Sequence, residues 1–154
     1  MRKLITDIAE RCHATATKRG KDTSRLGCVA DLCGEAQEFW TAISDWRTIP
    51  YFNETINHIQ DLSDNDFCVE YETRIHNTDL DELADIVITA ATWFQTIKQS
   101  EGYNAEYLFL ENIDAYLISG ALNFVVNRIA GPERLAQLYT IVRLKMRYNE
   151  LRNN

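Results

Sequence analysis

Two pairs of carboxylate residues occur at the same spacing in different parts of the chain. Glu35 and Glu38 lie three residues apart in "CGEAQEFW", and Glu82 and Asp85 lie three apart in "LDELADIVITAATW". Residues three apart share one face of an α-helix, and like charges there repel each other. The repulsion grows when the groups lose their water. A cation between the pairs would remove it, and carboxylate oxygens suit a hard ion such as Mg²⁺, with Mn²⁺ as a possible substitute.

Other interpretations of these carboxylates stay open on pattern alone. All four could be solvated surface groups. A di-iron carboxylate bundle needs Glu-x-x-His on two helices, and none of the four acidic residues has a His three positions later. A calcium loop over residues 61–72 is disfavoured, because Asp66 stands where that loop requires glycine. The three histidines show no metal-ligand spacing.

A second polar group stands near the C-terminus, in "LKMRYNELR". Lys145, Asn149 and Arg152 follow at i, i+4 and i+7, so that they extend one helical stripe. The same stripe is apolar further upstream, at Leu138 and Ile141. Lysine and arginine bind anionic oxygens, and an asparagine amide can donate to one. Cations that merely favour the helix dipole are the plainer explanation.

Two further segments are candidates for contacting a ligand. Lys18, Arg19 and Lys21 lie in the turn that precedes the first acidic helix, from where they could close over phosphates. Trp46, at the end of that helix, could stack on a base, although an indole that packs in a core or interface is the alternative.

The elements that must position these residues are helices. Apolar residues recur at helical spacing, and only two prolines interrupt the chain. Gly20, Gly102 and the Gly131-Pro132 pair mark helix ends. We predict a single all-α domain over residues 1–154, a bundle of about five helices at 2–19, 22–46, 77–100, 104–130 and 132–152. Residues 47–77 break the pattern, and we interpret them as an insertion with one short helix near 54–61.

Charge and composition exclude several classes of function. The formal net charge of −7 argues against a nucleic-acid-binding surface, which needs clustered Lys and Arg. No apolar run reaches the roughly 20 residues of a membrane span, and the N-terminal segment, broken by Asp7 and Glu10, does not read as a signal peptide. The four cysteines form no C-x-x-C motif, which favours reduced thiols in a cytoplasmic protein.

The motifs together resemble those of the MazG-like all-α nucleoside triphosphate pyrophosphohydrolases. The E-x-x-E and E-x-x-D signature of that family matches "GEAQEFWTAI" and "DELADIVI", and its K-M-x-x-N-x-x-R string matches "KMRYNELR". The opening "LITDIAERCHATATKRG" is also similar to the start of bacterial and phage members. The segment between Glu38 and Glu82 is longer than in compact members, and the chain stops soon after Arg152, without the basic tail of many relatives.

The resemblance implies hydrolysis of a (d)NTP to the monophosphate and pyrophosphate. By carry-over, Glu35, Glu38, Glu82 and Asp85 would hold Mg²⁺, and Glu35 or Glu38 would also orient or deprotonate the attacking water. Lys145, Asn149, Arg152, Lys18 and Lys21 would contact the substrate, as would Trp46. A homodimer or homotetramer would complete the bundle, and the apolar segment "YLISGALNFVV" is a candidate interface.

Two alternatives to that function remain. A catalytically idle helical oligomer could bind a nucleotide or a protein as a regulator. A phosphoribosyl-ATP pyrophosphohydrolase shares the acidic pattern, but the long insertion and the extra helices disfavour it. No residue in the sequence distinguishes the base or the sugar.

Overall fold

A computed structural model describes residues 1–101 and 113–152, and this part of the chain is helical, with no strand. Gly102, the predicted end of the third helix, and residues 104–112 of the predicted fourth helix lie outside the described residues. The helices are α1 (Arg2–Lys18), α2 (Arg25–Ser44), α3 (Phe52–Ile59), α4 (Asp64–Arg74), α5 (Asp79–Glu101), α6 (Ile113–Asn127) and α7 (Gly131–Leu151). The all-α prediction is therefore confirmed.

Helix α5 is the centre of the fold and packs against α1, α2, α6 and α7. Its sequence explains this position, because a helix that is apolar on nearly every side is stable only when it is surrounded. Its buried apolar residues are Leu80, Leu83, Ala84, Ile86, Val87, Ala90, Ala91, Trp93, Phe94 and Ile97. Several polar residues of α5 are buried with them, namely Asp81, Glu82, Thr89, Thr92 and Gln95.

The helix boundaries follow the predicted signals closely. Ser24 caps α2, its side chain accepting a hydrogen bond from the Gly27 amide. Gly20 follows α1 with a φ of 71°, and Gly131 begins α7 with a φ of 83°. Pro132 occupies the first turn of α7, where its missing N–H costs nothing.

The insertion at 47–77 differs from its prediction, because it holds two helices rather than one. Helix α4 packs against α7 and buries Phe67 and Tyr71 completely. Arg147 of α7 fastens the turn between α3 and α4 by donating to the backbone oxygens of Gln60 and Leu62. This segment is therefore an integral layer of the fold, held by packing and by hydrogen bonds.

Candidate metal centre

The packing of α2 against α5 brings three of the four predicted carboxylates together. Glu35 and Glu38 on α2 and Glu82 on α5 each offer an oxygen atom, and these atoms all lie within 4.8 Å of one another. The cluster joins residues more than forty positions apart in the sequence. The expectation that the two acidic helices face each other is thus met for these three side chains.

The cluster is partly removed from water, which makes its negative charge costly. Glu82 is 2% exposed, and its Oε2 atom has no hydrogen-bond partner among the described residues. Burial, followed by the negative charge of Asp85, raises the pKa of Glu35 to about 8. Burial, followed by the charge of Asp81, raises the pKa of Glu82 to about 8. A bound cation would offset the free-energy cost of burying these negative charges, and a buried carboxylate oxygen without a hydrogen-bond partner is a suitable ligand for Mg²⁺.

Asp85, the fourth predicted ligand, has a different partner. Its Oδ2 atom lies 2.6 Å from Nζ of Lys145 on α7. Burial still raises the pKa of Asp85, although the Lys145 charge opposes that effect. The Glu35–Glu38–Glu82 cluster therefore forms without Asp85, which is held by an ion pair at its side.

Lys145 is itself buried between two carboxylates. It is 1% exposed, and its ammonium lies 2.9 and 3.0 Å from the two oxygens of Asp81 in addition to its bond with Asp85. An ammonium has three donors, and three carboxylate oxygens take them. Burial lowers the pKa of Lys145, but the charges of Asp85 and Asp81 outweigh it and raise the pKa overall. Lys145 therefore bridges two aspartates, and its contact with phosphate stays a prediction.

Asp81 is a central residue that the sequence reasoning missed. It is fully buried, and it accepts hydrogen bonds from the Tyr71 hydroxyl at 2.6 Å and from the backbone N–H of Asn77 at 2.9 Å. His76 Nδ1 lies 3.1 Å away. Burial opposes its charge, yet the bonds from His76, Lys145 and Tyr71 prevail and lower the pKa of Asp81. Asp81 is therefore an anion inside the fold, and it anchors Lys145.

A narrow cleft runs beside Asp85, between α1, α2, α5 and α7. Its lining mixes apolar side chains with hydroxyls, including Ile88, Met146, Thr89 and Thr92. The enclosed space is about 30 Å³, which is room for about one water molecule. The cleft shares Thr15, Arg19 and Asn149 with a wider cavity of about 440 Å³, which is large enough for part of a nucleotide.

The wider cavity has basic walls. Lys18, Arg19 and Arg152 line it together with Asn149 and one carboxylate, Glu150, which accepts a hydrogen bond from Arg11. Burial lowers the pKa of Arg19, and the positive charge of Arg152 adds to that effect. Asn149 is 6% exposed, and its Oδ1 atom has no hydrogen-bond partner in the described part of the chain. Two neighbouring guanidiniums that repel each other would gain from an anion between them.

Two predicted substrate residues lie elsewhere. Lys21 lines the narrow cleft rather than the wider cavity, and its Nζ atom is 3.2 Å from Asp31 Oδ2. Trp46 lines neither space; it is 88% exposed, with a backbone φ of 56°. The structure thus places Lys18, Asn149 and Arg152 around the wider cavity and leaves Lys21 and Trp46 outside its lining.

The raised pKa values predict how stability varies with pH. In the metal-free fold Glu35 and Glu82 keep a proton up to about pH 8, whereas the ordinary glutamate value is 4.5. Between these values the folded state binds more protons, so stability falls as pH rises. We expect a lower melting temperature at pH 8 than at pH 5.5 in EDTA, and a larger gain from Mg²⁺ at pH 8. Calorimetric scans measure both; equal gains at the two pH values would contradict the assignment.

Comparison of the chain with protein-family models, with curated proteins and with solved structures finds no match. Within the described residues, no helix combines the length and the apolar character that crossing a bilayer requires.

Proposed function

We propose that this protein is a Mg²⁺-dependent nucleoside triphosphate pyrophosphohydrolase, which cleaves a (d)NTP to the monophosphate and pyrophosphate. The observation that carries the proposal is the meeting of Glu35, Glu38 and Glu82, whose carboxylate oxygens lie within 4.8 Å of one another. Arg19, in the lining of the wider cavity, is close enough to Asp85 and Glu35 to feel their negative charges. The cluster suits a hard cation, and the cavity suits phosphate oxygens. The MazG-like motifs favour the same reaction.

Bound Mg²⁺ would neutralise the triphosphate and stabilise the leaving pyrophosphate. The residues that would hold it are Glu35, Glu38 and Glu82. Asp85, one helical turn after Glu82, forms an ion pair with Lys145. Glu38 is exposed and Glu35 half-buried, so either carboxylate can orient the attacking water or take its proton. Arg19 and Arg152 would bind phosphate oxygens at the cavity wall, with the Asn149 amide beside them.

The proposed assembly is a homodimer or homotetramer. Trp40 on α2 and Phe124 on α6 pack edge to face, with ring centroids 6.1 Å apart, and Trp40 is 49% exposed. Leu117 and Val126 on α6 are also exposed. Apolar side chains of this kind on two helices would suit a contact with a second copy. The four cysteines are free, which agrees with the proposed cytoplasmic location.

A regulatory binding protein without turnover is the second candidate. The ion pair between Asp85 and Lys145 favours it, because it leaves only three carboxylates in the cluster. Such a protein would bind a metal and a nucleotide but release nothing.

Turnover separates the two candidates. The test is pyrophosphate release from a panel of NTPs and dNTPs with Mg²⁺, with chromatographic identification of the nucleotide product. We expect pyrophosphate and the monophosphate in equal amounts, from one base or sugar in preference to the others. A folded, Mg²⁺-binding protein that releases no pyrophosphate from any member of the panel would support the regulatory binder. Release of single phosphate would show that the cleavage position is wrong.

A further inference from the structure

A separate cavity of about 320 Å³ lies between the insertion and the start of α5. Its walls are the loop after α2, the end of α4 and the turn before α5. Arg47, Arg74 and His76 line it, with Thr48, Asn77 and Thr78 among their neighbours. Among the residues that the structure describes, no carboxylate belongs to this lining, although the whole chain carries a net charge of −7. It shares no residue with the cleft or the wider cavity beside the carboxylates.

The two guanidiniums keep most of their donors for a ligand. Arg47 uses Nη2 to bind Asp45, and Arg74 uses Nε to bind Glu70. A guanidinium has five N–H donors, and among the described residues the others on these two side chains make no hydrogen bond. Both side chains are also accessible, at 45% and 47% exposure. One carboxylate therefore orients each arginine, and the other N–H groups of each guanidinium are available to a ligand.

The backbone around this cavity is strained. Within the described chain, three residues other than glycine have a positive φ: Trp46 at 56°, Tyr51 at 48° and Asn77 at 62°. Asn77 lines the cavity, and Trp46 and Tyr51 bracket the loop that contributes Arg47 and Thr48. Such conformations are unfavourable for residues that carry a side chain, and they concentrate at ligand sites. Their grouping around one cavity indicates that the surrounding structure holds this loop in an unfavourable backbone conformation.

We propose that this cavity is a binding site for the phosphate group of a small molecule. Arginine forks match the oxygens of a phosphate with two parallel hydrogen bonds, and Arg47 and Arg74 supply two forks in one cavity. The volume is at the lower end of the range for small-molecule sites. Trp46 and Tyr51, both more than four-fifths exposed, stand next to this loop and would favour a ligand that also carries a nucleobase.

The cavity wall is continuous with the buried network described above. His76 and Asn77 line the cavity, and both contact Asp81, which holds Lys145. A ligand seated here would thus touch two of the groups that fix Asp81. The site requires neither metal nor turnover, so it stands or falls independently of the proposed reaction.

Calorimetric titration in EDTA tests the site, with inorganic pyrophosphate and UMP as probes. The background is Arg19→Gln/Arg152→Gln, which removes the basic residues of the other cavity. We expect saturable binding of at least one probe there, weakened tenfold or more by the further change Arg47→Gln/Arg74→Gln. Tighter binding of UMP would identify a nucleotide as the ligand, and tighter binding of pyrophosphate would identify a free polyphosphate. All four arginines are at least partly exposed, so the variants should fold.

Two results would overturn the proposal. One is that neither probe binds to the folded Arg19→Gln/Arg152→Gln protein. The other is equal affinity with and without Arg47 and Arg74, since the guanidiniums carry the argument. Circular dichroism and melting temperature confirm that each variant is folded, and pyrophosphate release by the wild-type enzyme is measured separately.

Discussion

Replacing Glu35 and Glu82 together by glutamine is expected to lower pyrophosphate release by about 10³-fold or more. The change removes two of the three clustered carboxylates while keeping the size of both side chains. Metal ions supply several kcal/mol of charge stabilisation in such reactions, and each 1.36 kcal/mol corresponds to a factor of ten in rate. Initial rates with saturating Mg²⁺ and a preferred nucleotide measure the effect, and calorimetry should show weaker Mg²⁺ binding alongside it.

The double variant should remain folded and gain stability at pH 8. Glutamine cannot ionise, so it removes the cost that the buried carboxylates impose in the metal-free protein. The matched control is Glu54→Gln/Glu133→Gln, which removes the same charge from two exposed positions on α3 and α7. We expect that control to keep wild-type turnover. Undiminished release by the Glu35→Gln/Glu82→Gln protein would remove these residues from the proposed chemistry.

Replacing Lys145 by methionine is expected to lower the free energy of unfolding by about 3–5 kcal/mol, the usual cost of breaking a buried ion pair by removing one partner. Asp81 is fully buried and would lose its cation, and Asp85 would lose its partner at 2.6 Å. Methionine keeps most of the volume of the side chain, so a cavity contributes little. Urea denaturation followed by circular dichroism measures the loss.

Two companion variants show where that loss comes from. Asp81→Asn combined with Lys145→Met removes both charges of the Asp81–Lys145 pair. We expect this double variant to be more stable than Lys145→Met alone, because no uncompensated charge remains at position 81. Arg143→Met changes an exposed cation two residues earlier on α7 and should cost little. If Lys145 served mainly to bind phosphate, Lys145→Met would instead raise KM while leaving the unfolding curve in place.

The sequence was sufficient to locate the carboxylate cluster, and the reason is periodicity. Glu35 and Glu38 repeat at helical spacing, as do Glu82 and Asp85, and each pair lies on a helix that also has an apolar face. Such pairs are visible without a structure, because α-helical spacing alone places the residues on one face. The choice among their partners is different: Asp85 bonds to Lys145 from another helix, and no local pattern encodes that pairing.

Asp81 went unnoticed because its position has an ordinary explanation. Acidic residues are common in the first turn of a helix, where they favour the dipole, and Asp79, Asp81 and Glu82 all lie there. What distinguishes Asp81 is its burial and its bonds, which come from Tyr71 and Lys145, ten and 64 positions away. Only the folded chain brings those groups together.

The insertion was underestimated for a related reason. Its many polar residues suggest a surface loop, and residues 67–75 show a weak strand-like alternation of apolar and polar residues that does not suggest a helix. Yet α4 forms there and buries Phe67 and Tyr71 against its neighbours. Tertiary packing of two aromatic side chains decides this segment, and it outweighs the local preferences of the residues around them.

The four groups that bond to the Asp81 carboxylate, from Tyr71, His76, Asn77 and Lys145, also bear on how the sequence can evolve. They tie together the insertion, which contributes Tyr71 and His76, the central helix and the C-terminal helix, which contributes Lys145. A descendant that lost the insertion would keep the pair of Asp81 and Lys145, but Asp81 would lose the bonds from Tyr71 and His76. We therefore expect substitutions at positions 71, 76, 81 and 145 to occur together in related sequences, because a change at one of them alters the bonds of the others.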